Sequence, residues 1–338
     1  ELKDKILRKL PDELSKQLTS KIQNLEKELE HYDSRQGSLK WMLVTSFGYL
    51  GYRNAKFGKL ESHEAVTAYG RDKILTAKEI SEKNGFRTLN IIVDCVFIQK
   101  ENRQPVSSNE LEDLCNEITE ATGVEMSIDG VFSWMLFFTA VADSRLTVAN
   151  RYLGRFSTGG LKYRGIALRR KDTTEWIKDF QKEILEFFEK CQTIKEILDT
   201  RENLEVVYFR YRDQVRSRKI PWRKLLIRRT ASKERSEYSA ENATLLMMRE
   251  LEENLQSGVQ AGEKIKYLVM NEGCPDKSLR YLSEERAQSI AGKGKSPPYD
   301  TRYYERVLWK AFKEIWESFA PHKFYFDELK TGQFEMFG

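Results

Sequence analysis

KWMLVTSFGYLGYRNAKFGKLESHEAVTAYGR, Lys40–Arg71, is the stretch on which the reading of this chain turns. It opens on a helical pattern carrying one lysine, passes through a turn punctuated by Gly48, Gly51 and Gly58, and enters a second helical pattern, Val66–Asn84, closed by Gly85. Downstream, IIVDCVFI at Ile91–Ile98 is the middle of an apolar, β-branched run, Thr88–Gln99, with a single acid at its centre. That composition predicts a strand containing one residue that strands disfavour. Upstream, Leu18, Ile22, Leu25 and Leu29 recur at helical spacing among lysines and glutamates. They predict a helix from about Asp12 to Glu30, then a turn and an antiparallel helix through Phe47.

Farther along, Ser107 or Ser108 is placed to cap a helix over Ser108–Thr122, and strands are expected at Val124–Ile128 and Val131–Thr139. RYLGRFSTGGLKYRGIALRR reads as a hairpin turning at Ser157–Gly160. From Thr173 the pattern becomes mainly helical: Thr173–Lys190, Thr193–Leu198, Asn203–Arg216, Ala240–Gln256 and Thr301–Phe319, with short strands at Lys224–Arg229 and Lys264–Met270. The Gly/Lys/Pro-rich loop Gly292–Pro298 is expected to be mobile.

Of 338 residues, 40% are hydrophobic and 32% charged, which suits a globular protein with a sizeable core. Fifty-seven Lys and Arg against 52 Asp and Glu give a net charge of only +5, so a nucleic-acid surface has to come from local clustering. Cys95, Cys115, Cys191 and Cys274 form no CxxC pair, and His31, His63 and His322 are scattered, which excludes a zinc-ligand spacing and predicts reduced thiols in a cytoplasmic protein. The longest apolar run, Val131–Ala142, falls short of the roughly 20 residues that span a bilayer. Because Glu1 sits inside a charged helical pattern, the chain reads as trimmed, split or truncated at its start.

In the order of these segments the chain resembles the C-terminal half of family B DNA polymerases, in a divergent archaeal and bacterial branch with degraded catalytic motifs. The resemblance implies an α+β fold: a helical fingers hairpin at 1–47, an antiparallel-sheet palm at 48–172, a mainly helical thumb at 173–325, and a tail at 326–338. The family's second fingers helix carries Arg-Gln-x-x-x-Lys-x-x-x-Asn-Ser-x-Tyr-Gly; here Arg35, Gln36, Lys40, Val44, Thr45, Phe47 and Gly48 stand at those positions. The phosphate-contacting lysine and the glycine are kept, while the asparagine and tyrosine are not. A second phosphate-binding position, counted from Pro11 and Leu14, falls on Lys21, which keeps charge without the fork of an arginine. The implied ligand of Lys21, Arg35, Lys40, Phe47 and Gly48 is a deoxynucleoside triphosphate.

The palm motif Tyr-x-Asp-Thr-Asp-Ser, borne on a hairpin in the family, is matched by Asn90, Ile91, Ile92, Val93, Asp94 and Cys95. Asp94 falls on the second aspartate, a catalytic ligand of Mg²⁺, whereas Ile92 replaces the first; the upstream Asp-x-x-Ser-Leu-Tyr-Pro has no match. One carboxylate cannot hold two Mg²⁺ ions, so the chain alone is expected not to polymerise.

The expected primer-template contacts are Asn150, Arg151 and Tyr152, then Lys162, Arg164, Gly165, Arg169 and Arg170, with Lys233 and Arg235 in a later basic turn. The ending TGQFEMFG offers Gln333, Phe334, Met336 and Phe337 in the order of a sliding-clamp-binding peptide. The implied function is template-directed DNA synthesis completed by an upstream catalytic motif, with an N-terminal polymerase/exonuclease half as a separate chain among the expected partners. The alternative is a catalytically inactive scaffold binding DNA and clamp. The expected location is the cytoplasm, at the nucleoid, with no membrane partner.

Overall fold

The computed structural model describes residues 11–140, 143, 146–255, 258–316 and 319. The chain divides into two compact units, Glu1–Ile128 and Asp129–Gly338. The first unit is built from α1 (Asp12–Leu50), α2 (Leu60–Lys83), β1 (Phe86–Ile92), β2 (Cys95–Lys100) and α3 (Ser108–Thr122). Its core is small: Ala77 and Ile80 of α2, Phe86 of β1, and Leu114 and Ile118 of α3, with Val96 and Ile98 packed against them.

The turn expected after Glu30 is absent. α1 runs unbroken for 39 residues. The segment His31–Gly37 contains one glycine and no proline, and a glycine inside a helix costs only about 1 kcal/mol relative to alanine. The helical spacing of apolar residues continues through it, from Leu29 and Tyr32 to Leu39 and Leu43, so nothing local forces a reversal. The reversal comes instead at Gly51–Lys59, between α1 and α2. Gly58 is required there, because a Cβ would lie 2.5 Å from the Tyr52 carbonyl oxygen.

The single strand expected over Thr88–Gln99 is a two-stranded antiparallel hairpin, with Ile92 opposite Cys95 and Ile91 opposite Val96. Val93, at φ 54°, makes the tight turn, and Asp94 beside it escapes the strand interior. α3 begins at the Ser107 cap: its hydroxyl accepts from Glu110 N–H, and the Glu110 carboxylate accepts from Ser107 N–H at 2.9 Å. The strand expected at Val124–Ile128 does not form. The Thr122 and Thr119 hydroxyls accept from the Val124 and Met126 N–H groups at 3.2 and 2.9 Å, diverting those donors from a ladder.

The second unit opens with the antiparallel sheet β3 (Phe132–Thr139), β4 (Thr147–Phe156) and β5 (Leu161–Arg164), in that order. Gly159 and Gly160 take positive φ in the expected turn between β4 and β5. The helices follow as α4 (Glu175–Lys190), α5 (Ile194–Asp199) and α6 (Arg201–Arg216), within a few residues of their expected bounds. A second antiparallel sheet, β6 (Ile227–Thr230), β7 (Lys264–Val269) and β8 (Tyr281–Ser283), is accompanied by α7 (Ala243–Leu255), α8 (Glu284–Gly292) and α9 (Thr301–Trp316). The strand expected from Lys224 starts later, since Trp222–Leu225 is a 3-10 turn, and β8 and α8 were not anticipated. In the loop after α8, Pro297 and Tyr299 are buried.

One core serves both sheets, from Trp134, Phe138, Leu153 and Ile166 to Phe180, Ile184 and Phe188 of α4, Tyr208 of α6, and Leu308 and Phe312 of α9. Each such buried side chain contributes about 1.5–3 kcal/mol relative to exposure. Some polar groups inside are paired, while the Tyr208 hydroxyl and Trp176 Nε1 have no hydrogen-bond partner among the described residues. The Tyr304 hydroxyl donates to Leu225 C=O at 2.9 Å and accepts from Val269 N–H at 3.2 Å, and burial pushes its pKa up. Arg155, 8% exposed, donates through Nε to Glu189 C=O at 2.6 Å, a cation at the C-terminal end of α4.

The 48–172 span contains two sheets, β1–β2 and β3–β4–β5, and the division between the two units falls inside it. Among the described residues no helix is long and apolar enough to cross a membrane.

Candidate nucleic-acid interface

The side-chain period of two along β4 sorts the basic residues of this hairpin before any ligand is considered. Arg151, Leu153 and Arg155 point to one face of the sheet, and Asn150, Tyr152 and Gly154 to the other. β5 pairs so that Arg164 lies opposite Tyr152 and Lys162 opposite Gly154. Lys162 and Arg164 therefore share the face of Asn150, and Arg151 shares the face of the fully buried Leu153.

On that inner face Arg151 is committed within the chain. Its Nη2 donates to Glu314 of α9 at 2.9 Å, its Nε donates to Gly165 C=O at 3.2 Å, and its guanidinium lies 5.5 Å from the Phe138 ring centre. Glu314 also accepts from Ala167 N–H at 2.9 Å, from Arg170 Nη2 at 3.1 Å and from Gln181 Nε2 at 3.3 Å. This carboxylate, 10% exposed, locks the end of the hairpin onto α4 and α9. Gly165 permits the arrangement: its φ is 74°, and a Cβ would lie 2.4 Å from Arg151 Cγ. Glu314 had no mark in the sequence, because its partners lie more than a hundred residues away. The period of β4 alone, however, separates Arg151 from Asn150.

On the other face Tyr152 is 2% exposed, its ring 6.2 Å from that of Phe137, so it presents little surface to a groove. Lys162 is ion-paired with Asp129, and Arg235 with Glu252. Arg164, Arg169 and Lys233 are exposed and have no side-chain partner among the described residues; Asn150 is exposed as well. The ten expected DNA contacts thus divide into an exposed group, a surface-paired group of Lys162 and Arg235, and an internal group of Arg151, Tyr152 and Gly165. Arg170 is half exposed and partly occupied by Glu314.

In the first unit, Lys21, Arg35, Lys40, Phe47 and Gly48 all lie on α1. Lys21 and Lys40 are separated by nineteen residues, about 28 Å along the axis, so they cannot reach one triphosphate together. The hairpin that would have brought them together is not formed. Lys40, Val44 and Phe47 share a helical face, whereas Arg35, five residues before Lys40, is rotated away from it. One face of the Phe47 ring is covered by His63, with centroids 4.1 Å apart and planes at 27°, and His63 Nδ1 lies 3.0 Å from Phe47 O. His63 was not singled out in the sequence. A Cβ at Gly48 would meet nothing within 4 Å.

Asp94 is exposed at the tip of the β1–β2 turn, and Ile92 is 6% exposed at the end of β1. Among the described residues no three His, Cys, Asp or Glu side chains converge on a metal-binding arrangement. The residues present do not fit a pair of Mg²⁺ ions: one position of the motif holds a buried hydrocarbon, and the remaining carboxylate stands alone. Gln333, Phe334, Met336 and Phe337 lie outside the described residues.

An α+β chain with antiparallel sheets and a Lys/Arg/Gly/Tyr hairpin tied to helices is the class that the geometry defines. The family model for DNA polymerase family B matches residues 10–319. This chain belongs to DNA polymerase family B. It is 28% identical over 165 residues to DNA polymerase 2 of Saccharolobus solfataricus, covering 49% of this chain and 24% of that protein. With the DNA polymerase of Pyrococcus glycovorans it shares 25% identity over 329 residues, 94% of this chain and 39% of the relative. The solved family B DNA polymerase of Pyrobaculum calidifontis has a similar fold, with a TM-score of 0.51 and 24% identity over 84% of this chain and 33% of that one. The chain thus spans well under half the length of these relatives.

Proposed function

We propose that this chain is the DNA-gripping portion of a family B DNA polymerase and acts in template-directed synthesis only with a carboxylate supplied by a further polypeptide segment. In this reading 1–47 act as fingers, 48–172 as palm and 173–325 as thumb. Primer-template DNA is held by Arg164, Arg169 and Lys233 with Asn150, and Lys40 meets the incoming triphosphate. The observation that carries it is the match to the family over residues 10–319 together with three exposed cations, Arg164, Arg169 and Lys233, that have no side-chain partner among the described residues. A purely binding scaffold at the nucleoid, docked on a sliding clamp through Gln333–Phe337, is the second reading, favoured by the burial of Ile92 where a metal ligand would stand.

The test is duplex binding by fluorescence anisotropy at several salt concentrations, beside primer extension with Mg²⁺. Changing Arg164, Arg169 and Lys233 together to alanine lowers the slope of log K against log salt by about 2.7, since each neutralised phosphate contributes roughly 0.9. An unchanged slope overturns the DNA contacts. Extension by the unmodified chain that disappears in Asp94→Ala overturns the need for a second carboxylate.

A further inference from the structure

Away from those cations, α9, β6 and the segment between β5 and α4 enclose a crevice of about 220 Å³. Its rim carries Arg170, Arg229 and Lys310, three cations from distant stretches of chain, against one carboxylate, Asp172. Asp172 pairs with Arg229 at 3.3 Å, and Arg170 reaches Glu314 through Nη2. Lys310, exposed on α9, has no partner among the described residues. Nothing internal accounts for a third cation on this rim, where like charges repel one another.

The walls are aromatic and aliphatic. Tyr267 of β7 and Tyr303 of α9 line them, with Ile177 and Val307 beside them. Both tyrosines are uncharged near neutral pH, as any phenol of ordinary pKa is, and burial raises their pKa further, that of Tyr303 to about 12. A cationic rim over an apolar, ring-lined floor suits a ligand with one anionic end and one flat apolar end. The volume lies below the roughly 300–1,000 Å³ of drug-sized sites, which restricts the occupant to one small unit.

We propose that this crevice binds a single nucleotide unit, its phosphate held by Lys310 with Arg229 and Arg170 beside it and its base lying against the half-buried Tyr303. The unit comes either from a DNA strand or from a free mononucleotide, whose chemistry is shared. The assignment is independent of the proposed duplex contacts, because Arg164, Arg169 and Lys233 do not line the crevice.

The test is calorimetric titration of the full chain with deoxyadenosine 5′-monophosphate, with deoxyadenosine, and with inorganic phosphate. The monophosphate binds, and each fragment binds at least about tenfold more weakly because it lacks one half of the recognition. Lys310→Ala weakens the monophosphate roughly fivefold to tenfold, as expected for one charged contact, and leaves the urea midpoint unchanged because Lys310 has no partner to lose. Tyr303→Leu weakens the monophosphate without weakening inorganic phosphate. Displacement of a labelled single-stranded oligonucleotide by the monophosphate assigns the site to a strand, and failure to displace it assigns the site to the free nucleotide. No binding of the monophosphate at millimolar concentration, or equal binding by Lys310→Ala and the unmodified chain, overturns the proposal.

Discussion

Replacing Glu314 with glutamine separates the two roles that basic residues play in the β4–β5 hairpin. The carboxylate receives four donors: Arg151 Nη2 and Ala167 N–H at 2.9 Å, Arg170 Nη2 at 3.1 Å and Gln181 Nε2 at 3.3 Å. Removing one partner of a buried ion pair costs about 3–5 kcal/mol, chiefly from the charge left behind. Here the stranded charge is Arg151, 27% exposed and still in contact with Phe138 and Gly165 C=O, which lowers the expected loss. Arg170 is 54% exposed and adds little, as surface pairs contribute about 0–1 kcal/mol. Glutamine also turns an NH₂ group toward donors, so a loss of roughly 2–3 kcal/mol is expected. Urea unfolding followed by tryptophan fluorescence reads it, because Trp134, Trp176, Trp222, Trp309 and Trp316 all lie in the second unit. The midpoint should fall while the slope stays constant. In a double-mutant cycle, Arg151→Met and Glu314→Gln should couple by at least about 1 kcal/mol. A change within about 0.5 kcal/mol for Glu314→Gln, or strict additivity, refutes the claim that this carboxylate anchors the hairpin.

Gly165→Ala should destabilise the second unit by about 2–4 kcal/mol, because φ 74° strains any Cβ and the added atom would lie 2.4 Å from Arg151 Cγ; circular-dichroism melting checks it, and a wild-type midpoint refutes it. The Lys100 ammonium, then the Ser107 N–H and hydroxyl, hold the Glu110 carboxyl at about 2, below its ordinary 4.5. A depressed carboxyl contributes stability that is complete above its unfolded value and is lost as pH falls through the folded one, so the capping box of α3 weakens between about pH 4.5 and 2. The carboxyl chemical shift of Glu110 in a pH titration reports this, and its midpoint should rise toward 4.5 in Lys100→Met.

The elements that could be read from sequence were those with a local cause. The serine cap before Ser108–Thr122 and the glycine-bearing turn at Ser157–Gly160 each act within a few residues, and each holds in the structure. The departures have equally local explanations. A turn expected after Glu30 does not form where the apolar spacing continues and Gly37 is the one glycine in His31–Gly37, and a strand expected at Val124–Ile128 loses its donors to two threonine hydroxyls. β8 is three residues long, too short for a period-two pattern, and α8, nine residues from its Ser283 cap, went unread with it.

The candidate basic cluster could be read from composition, whereas the way the fold divides it could not. Sequence brings Arg151, Lys162, Arg164 and Arg170 into one basic cluster, but strand alternation and a distant carboxylate divide them between framework and surface. A count of cations in the cluster therefore overstates the charge available to a phosphate backbone. Arg151 has already committed its guanidinium to Glu314, and Lys162 is paired with Asp129, so a phosphate would have to displace that carboxylate and would gain only the difference. The same logic applies to the β1–β2 turn. Its neighbourhood in the motif order predicted metal chemistry, yet Ile92 is turned inward and Asp94 outward into solvent. A carboxylate introduced at residue 92 would enter a 6% exposed position and face desolvation before it could meet a cation. Restoring one motif position is therefore a change of core as well as of chemistry.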